Sequence, residues 1–403
     1  MLTLDPIQTL ACGGLCLVAG YAIRRHVPLL ARFNIPAPVI GGLLVALAVL
    51  ACRYWDYTPV RFDTGLKEPL MIAFFTSIGF NASVALLKVG GRQVVWLLGL
   101  ATVALIVQNL VGMALAEAFG LHPLFGVLAG STTLAGGPAT GLAFAPLFEQ
   151  AGVHGAESIA LATAMAGIVC GSILGAPLAT LLMERYGLQP RPAEPTVDVT
   201  IAIVQEDEGG SADGEGDRIH AGLKGLVLIL AAMGIGTWVS AGLNGIGVTL
   251  PSYIGAMLVG AAIRNLDDAT GWIGLPLVRM DVIGGICLSL FLAVALMDLR
   301  LWELAGMAAP LIVNLLAQAV LVALFCVWPL LRMMGRDYDA AVMAGGFTGF
   351  MLGTTANAMA VMGSMTERYG PAPRAFLVAP LVGAFFIDFV NAVVITVFVN
   401  GWT

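Results

Sequence analysis

The chain has 403 residues, of which 59% are hydrophobic and only 11% are charged, and its formal net charge is −6. Soluble domains are about a quarter charged, so this composition excludes an ordinary soluble domain, and no nucleic-acid partner is expected. Repeated apolar runs reach the roughly 20 residues that a helix needs to cross a bilayer. The chain is therefore predicted to be an all-α polytopic membrane protein in contact with lipid.

The first half contains five predicted spans and one interrupted apolar segment. Its N-terminal run lacks a basic leader and a small-residue cleavage site, so we interpret it as a retained span rather than a signal peptide. The spans lie at about 7–23, 37–52, 70–88, 94–118 and 157–183, and the interrupted segment at about 124–148. Together they form the expected N-terminal unit, 1–183.

An acidic segment, 184–220, follows this unit. It contains nine acidic residues and three arginines, which accounts for the whole net charge. The stretch EDEGGSADGEGD is rich in glycine and acids and has no aromatic residue, a composition typical of flexible linkers. We expect a linker between two units.

The second half, 221–403, repeats this plan. Its predicted spans lie at about 221–241, 253–264, 282–298, 304–330 and 373–400, with an interrupted segment at about 339–363. Four sequence echoes connect the halves in the same order at an offset of about 215 to 219 residues, for example 124–141 with 340–357. Because each half is expected to cross the membrane an odd number of times, the second half has the opposite orientation in the membrane to the first. This predicts two inverted repeats, the plan of many secondary transporters, each with one re-entrant hairpin.

The positive charges are distributed unequally between the two sides of this predicted topology. With the N-terminus outside and both interrupted segments treated as hairpins that do not cross, thirteen Lys and Arg residues fall on the cytoplasmic side, and Arg368 and Arg374 add two. Only Arg53, Arg61, Lys67 and Arg300 fall outside. The positive-inside rule therefore favours external termini and a cytoplasmic acidic linker.

The interrupted segments are the candidate substrate site, because backbone groups freed by a helix break can bind a ligand. Gly136 and Gly137 loosen the first segment, and Pro138 removes an amide donor. The candidate substrate-binding residues are Ser131, Thr132, Thr133, Gly136, Gly137, Thr140, Gly141, Thr348, Gly349, Gly353, Thr354, Thr355 and Asn357. The alternative interpretation is that these small residues only permit close helix packing.

The candidate ion site begins with Asp388, the only carboxylate deep inside a long apolar run. Ionisable residues at membrane depth are functional by default, and Asn391 follows on the same helical face. Thr76, Ser77 and Asn81 form a second polar cluster, and these five residues are the predicted sodium ligands. A structural hydrogen bond between helices is the alternative for Asp388. Asp298, near a helix end, is expected to be solvated, and Asp281 to cap the helix that follows it.

The sequence gives no sign of catalysis. It contains no H-E-x-x-H, G-x-S-x-G or P-loop pattern, so neither an enzyme nor a nucleotide-driven pump is expected. The six cysteines lie in or at the ends of apolar segments without metal-type spacing, which favours simple burial. We expect no cofactor and no transition metal, and an ion gradient as the energy source.

Several motifs carry a family resemblance over nearly the whole chain apart from the linker. The stretches EPLMIAFFTSIGFNAS, RMMGRDYDAAV, TERYGP and FLVAPLVGAFFIDFVNA resemble the bacterial sodium/glutamate symporter family. The resemblance implies a Na⁺-coupled L-glutamate carrier of the bacterial inner membrane, with inverted repeats and two re-entrant loops. It also implies a homodimer in which a transport unit moves like an elevator against a scaffold.

Individual residues match the family's motifs unequally. Thr140 and Gly141 match the first hairpin motif, Gly349 and Gly353 match the second, and Asp388 and Asn391 match the final-helix motif. Pro138 and Met351 depart from these motifs, which suggests a change in the size or polarity of the substrate. The main hypothesis is symport of an anionic amino acid with Na⁺. The alternatives are symport of another small carboxylate, coupled either to Na⁺ or to protons, and, from a different class, a passive channel or a membrane sensor.

Overall fold

The computed structural model describes residues 2–54, 60–85, 91–189, 215–245, 251–304 and 306–402. Most of the expected linker, 190–214, lies outside these residues, as does Lys88. The helices on either side extend to Tyr186 and begin at Glu215, so the ends of the segment assigned to the linker are helical.

The first half consists of eight helices among its described residues. They are α1 Pro6–His26, α2 Pro28–Arg32, α3 Ala37–Tyr54, α4 Lys67–Asn81, α5 Gly91–Ala118, α6 Pro123–Val127, α7 Gly137–Gln150 and α8 Ala156–Tyr186. A π turn, Leu128–Thr132, joins α6 to the break before α7. Within the expected span 70–88, helix α4 ends at Asn81, residues 82 and 83 are not helical, and residues 84 and 85 are helical again.

The second half supplies nine more helices in the part of the chain that the structure describes. They are α9 Glu215–Gly245, α10 Ser252–Thr270, α11 Leu277–Met297, α12 Ala308–Phe325, α13 Leu331–Met333, α14 Tyr338–Leu352, α15 Thr355–Tyr369, α16 Pro373–Pro380 and α17 Ile387–Asn400. Short 3₁₀ and π segments lie between some of them, at Leu301–Leu304, Cys326–Leu330 and Leu381–Phe386.

Two details differ from the sequence-based expectations. The chain is not entirely α-helical, because strands β1, Leu2–Thr3, and β2, Val60–Arg61, pair in parallel and bring the N-terminus beside the segment after α3. The interpretation of Asp281 as a helix cap was also wrong. Helix α11 begins at Leu277 after Pro276, so Asp281 lies inside the helix and accepts a hydrogen bond from Asn81.

Seven stretches in the described residues are long and apolar enough to cross a membrane, consistent with a polytopic membrane protein. They are Pro6–His26, Gly91–Ala118, Ala156–Tyr186, Ile219–Leu243, Leu277–Met297, Ala308–Met333 and Pro373–Asn400. Helix α3 is apolar but shorter. Helix α10 runs beyond the expected 253–264 and carries Arg264, Asp267 and Asp268 in its last turns.

The helices pack in two groups. The first group contains α1, α3, α4, α9, α10 and α11, and its members pack mainly on one another. The second contains α5 to α8 and α12 to α17. Direct packing between the groups is limited mainly to α7 on α11 and α17 on α4. The first group therefore contains the first three spans of each half of the chain, and the second group contains the last two spans of each half together with the interrupted segments.

A glycine contact fixes the first interrupted segment against α5. A Cβ on Gly126 would lie 2.0 Å from the carbonyl carbon of Gly112, and a Cβ on Gly112 would lie 2.3 Å from the oxygen of Gly126. Real Cβ atoms do not approach backbone so closely, so the two helices can touch only because both positions are glycine.

Gly126→Val should therefore destabilise the protein by about 1–3 kcal/mol or more, the usual effect of overpacking. Thermal unfolding in detergent would measure the change. Gly99→Val is the control, because Gly99 lies on α5, the helix that Gly126 contacts, and a Cβ there meets nothing within 4 Å. Equal melting temperatures for Gly126→Val and the unmodified protein would contradict the contact.

Candidate functional site

The first interrupted segment, here called hairpin 1 (residues 123–150), is a helix–break–helix. Gly130 has non-helical angles, φ −99° and ψ −125°, inside the π turn. The chain then reverses at Gly136 and Gly137, and Gly137 has a φ of +67°, which side chains rarely adopt. Pro138 occupies the first turn of α7, where a missing amide donor does no harm. The glycines and the proline thus interrupt the helix in this segment, as expected from the sequence.

The second interrupted segment, hairpin 2 (residues 338–369), has the same form. Helix α14 ends at Leu352, Gly353 and Thr354 are non-helical, and α15 begins at Thr355. Within the described residues, no side chain caps the N-terminus of α15 or of α7. Each hairpin therefore presents the positive end of a half-helix at its tip.

The two hairpin tips meet. A Cβ placed on Gly137 would lie 3.3 Å from Cγ2 of Thr354 and 3.8 Å from the carbonyl oxygen of Gly353. Ser131 to Ala135 and Gly137 to Thr140 are buried, whereas Thr354 and Thr355 are half-buried and Ala356 is exposed. The breaks thus form one region, enclosed by protein and open at one edge.

Asn391 joins this region from helix α17. Its Nδ2 donates a hydrogen bond of 2.9 Å to the carbonyl oxygen of Ser131, which also accepts from the amides of Ala135 and Gly136. The side-chain oxygens of Ser131, Thr132 and Asn391 are buried without a hydrogen-bond partner among the described residues. Buried polar groups in this condition cost about 1–3 kcal/mol each, so three of them beside one helix break point to a ligand that is not a protein group.

Asn357 adds a further unpartnered oxygen at hairpin 2. Its Nδ2 donates to the carbonyl oxygen of Ile168 at 2.9 Å, while its Oδ1 is buried and has no partner in the described part of the chain. A Cβ on Gly353 would lie 2.4 Å from this Nδ2. Both hairpins therefore carry unpaired polar atoms close to their breaks.

Asp388 lies at the start of α17, one turn before Asn391. Its side chain is half-buried, and among the described residues it has neither a hydrogen bond nor an ion pair. The alternative of a structural hydrogen bond between helices is thus not seen, and the carboxylate is left for an ion, a proton or water.

The other predicted sodium ligands are engaged elsewhere. Thr76 and Ser77 donate to carbonyls of their own helix, those of Ile72 and Phe74, and Asn81 donates to Asp281 on α11. Ser77 also packs against Gly284. The structure therefore brings Asn391, but not this α4 cluster, into contact with a hairpin break.

Several predicted substrate residues serve packing within the hairpins. The hydroxyls of Thr133 and Thr348 donate to the carbonyls of Leu128 and Ala344. Thr140 packs on Gly136, and Gly141 and Gly349 leave room for Ala160 and Ala358. Thr355 donates to the carbonyl oxygen of Gly383 at 2.5 Å. These residues shape the breaks, and the hydroxyls of Thr133, Thr348 and Thr355 already have protein partners.

Sequence reasoning missed four buried amides, Gln108 and Asn109 on α5 and Asn314 and Gln318 on α12. All are at most 2% exposed, and they contact both hairpins. The available signal was a polar side chain within a long apolar run. The same kind of signal selected Asp388 and Asn391.

A cavity of about 760 Å³ opens at the C-terminal end of hairpin 1 and the N-terminal end of α4. Its lining includes Lys67, which forms an ion pair with Glu157 on α8, and Arg300, 3.5 Å from Glu303. A neighbouring cavity of about 630 Å³ shares Lys67 and continues along α7 to Leu142. Asp298 lines the first cavity and is exposed, as expected.

Comparison with known proteins gives consistent matches. The sequence model of the sodium/glutamate symporter family matches residues 2–371. The chain is 40% identical to the sodium/glutamate symporter of Escherichia coli strain K12 over 402 residues, covering 99% of this chain and 98% of that one. It is 38% identical to the protein of the same name from Haemophilus influenzae over 396 residues, covering 98% and 97%.

Among solved structures, the chain is similar to a sodium proton antiporter from Methanocaldococcus jannaschii. The alignment covers 98% of both chains at 14% identity, with a TM-score of 0.44.

The contact between the tips can be tested by cross-linking. A Cβ on Gly137 would lie 3.3 Å from Cγ2 of Thr354, which brings two cysteine sulfurs within reach of each other, so Gly137→Cys with Thr354→Cys should cross-link on mild oxidation despite the strain of a side chain at a φ of +67°. The half-buried native cysteines, Cys12, Cys52, Cys170 and Cys287, are first replaced by alanine. A protease site inserted within 190–214 then reports the bond, because cross-linked halves stay together on a gel.

Ala143→Cys with Thr354→Cys is the control pair. Ala143 lines the 630 Å³ cavity further along α7, so it should react slowly. Equal rates for the two pairs, or no bond in the first, would contradict the contact.

Proposed function

Because the chain belongs to the sodium/glutamate symporter family, we propose that it imports L-glutamate, or a close anionic amino acid, together with Na⁺. The family is one of transporters rather than enzymes. The observation that carries the proposal is the meeting of two broken helices from opposite halves of the chain, with Gly137 beside Thr354. Around these breaks lie polar atoms without a protein partner.

The substrate is assigned to the two uncapped helix N-termini at the tips. Free amide groups and the positive end of the helix dipole attract carboxylates, and glutamate has two carboxylates for two such ends. Gly136, Gly137, Thr354 and Asn357 lie at these ends. The accessible edge at Thr354 to Ala356 supports entry of a solute.

Sodium is assigned to the unpartnered oxygens of Ser131, Thr132 and Asn391. Na⁺ is a hard cation that oxygen ligands suit, and unwound backbone in transporters commonly supplies them. This grouping revises the expectation from the sequence, since Ser131 and Thr132 move from the substrate set to the ion set. Asp388 is the nearby negative charge on the same helix, and Thr76, Ser77 and Asn81 have no assigned part in this site.

Alternating access is assigned to movement of the second helix group, which carries both hairpins, against the first. Limited packing between the groups supports it, as do the two cavities, each lined by residues of both. The Lys67–Glu157 ion pair bridges the groups and would have to open. The equivalent spans of the two halves fall in the same group, which supports inverted repeats and an elevator-type motion.

The proposed topology keeps both termini outside and the acidic linker in the cytoplasm. In support, β1 brings the N-terminus beside Arg61, which was assigned to the outside. Lys67 and Arg300, also assigned outside, line one cavity with the ends of hairpin 1. Exposed apolar side chains on α1, such as Ile7, Leu15 and Val18, suit lipid, and the homodimer implied by the family resemblance is retained as a proposal.

Uptake by reconstituted vesicles tests the function. An inward Na⁺ gradient should drive accumulation of labelled L-glutamate above its equilibrium level, and dissipating the gradient should abolish it. No accumulation with Na⁺, or equal accumulation without it, would reject the proposal.

The same vesicles test the second candidate, a proton-coupled carrier of another small carboxylate. The unpartnered carboxylate of Asp388 favours this candidate, because such a group can carry a proton. It predicts uptake driven by a proton gradient without Na⁺, with another carboxylate displacing glutamate in competition.

Asn391→Leu should weaken Na⁺ dependence specifically. Loss of its oxygen removes one proposed ligand, so the Na⁺ concentration for half-maximal uptake should rise at least about tenfold, equivalent to ~1.4 kcal/mol. Thr396→Val is the matched control on the same helix, because its hydroxyl bonds only to the carbonyl of Ala392. An unchanged Na⁺ requirement in Asn391→Leu would remove this residue from the ion site.

A further inference from the structure

The four buried amides Gln108, Asn109, Asn314 and Gln318, here called the amide network, lie between α5 and α12. Gln318 Nε2 donates to the backbone oxygen of Gln108 at 2.8 Å and to Asn314 Oδ1 at 3.3 Å. The network thus links two helices that occupy equivalent places in the two halves of the chain.

One end of the network holds the break in hairpin 1. Asn109 Oδ1 accepts a hydrogen bond of 3.0 Å from the amide of Ser131, and Asn314 Nδ2 donates at 2.6 Å to the carbonyl of Ala129. These two backbone groups flank Gly130, whose angles are non-helical. The amides therefore replace the helical hydrogen bonds that the break removes.

The other end of the network holds hairpin 2. Gln108 Nε2 donates at 3.1 Å to the carbonyl of Met351, two residues before the break at Gly353. Gln108 is the residue before Asn109, so neighbouring positions on α5 contact the two hairpins separately. A movement of the hairpin 1 break that shifts Asn109 therefore acts on the same turn of helix that positions Met351.

The network is incompletely satisfied, which a purely structural core would avoid. Gln108 Oε1, Gln318 Oε1 and Asn109 Nδ2 are buried without a partner among the described residues. Each such atom costs about 1–3 kcal/mol, and apolar side chains of similar shape would avoid this. In native proteins such atoms call for an explanation beyond packing, such as a bound water, an ion or a functional role.

We propose that Gln108 and Gln318 are positioning residues that couple Na⁺ binding at hairpin 1 to the geometry of hairpin 2. Na⁺ bound beside Ser131 holds the hairpin 1 break in one conformation. Through the amide network this conformation positions Met351, and with it the N-terminus of α15, which then binds a substrate carboxylate. The inference rests on the proposed symport. Coupling between two sites is reciprocal, so the substrate strengthens Na⁺ binding by the same factor.

Hydrogen exchange of the full chain in detergent, with Na⁺ or with K⁺ and without substrate, tests this coupling. In the unmodified protein, Na⁺ should slow amide exchange at both breaks, 130–137 and 353–358. In Gln108→Leu, Gln108→Glu and Gln318→Leu, the slowing should persist at 130–137. At 353–358, Na⁺ should slow exchange by about 5- to 150-fold in the unmodified protein, the range of ordinary coupling energies. In the three variants the slowing at 353–358 should be less than about twofold.

Thr102→Val is the matched control, because Thr102 lies on α5 and its hydroxyl bonds only to the carbonyl of Leu98; it should match the unmodified protein. Undiminished slowing at hairpin 2 in the network variants would overturn the inference. Loss at both hairpins would also overturn it, since the network would then only maintain the fold. If Na⁺ has no effect on exchange in the unmodified protein, the inference is also overturned. The symport proposal is tested independently, by glutamate uptake into vesicles.

Discussion

The structure depends on one constraint, which is that backbone polar groups at membrane depth need partners from protein. Two helices break inside the second helix group, and each break releases amides and carbonyls that the helix no longer satisfies. Asn109, Asn314 and Asn391 supply partners around hairpin 1, and Gln108 supplies one to the carbonyl of Met351 beside the break of hairpin 2. The polar side chains of the interior are therefore concentrated where the backbone is irregular.

The same constraint separates structural from ligand-binding polar groups. A side chain that replaces a missing backbone partner and has no polar atom left over stabilises the break, as Asn314 does for the carbonyl of Ala129. Side chains with an oxygen left over, such as Ser131 and Asn391, have capacity beyond what the fold uses. This difference, more than residue type, identifies the candidate ion ligands among the many hydroxyls of the hairpins.

The sequence was sufficient to predict the two helix breaks and most helix positions, because glycine pairs, proline and hydroxyl residues clearly interrupt the apolar runs. It was insufficient for partner assignment. Thr76, Ser77 and Asn81 are as polar as Ser131, yet Thr76 and Ser77 bond within their own helix and Asn81 bonds to Asp281. Only the packing of α4 against α10 and α11 determines this. The amide network was missed because its residues come from two helices, neither of which contains a break within its own core segment.

The contact between Gly137 and Thr354 bears on how the chain is assembled. One tip comes from each half of the chain, and each helix group combines both halves, so neither half alone brings the two helix breaks together. A separate half-length chain would need a second copy to place two such tips side by side. In the single chain the two tips are joined covalently and carry different residues, Gly137-Pro138 in one and Gly353-Thr354 in the other.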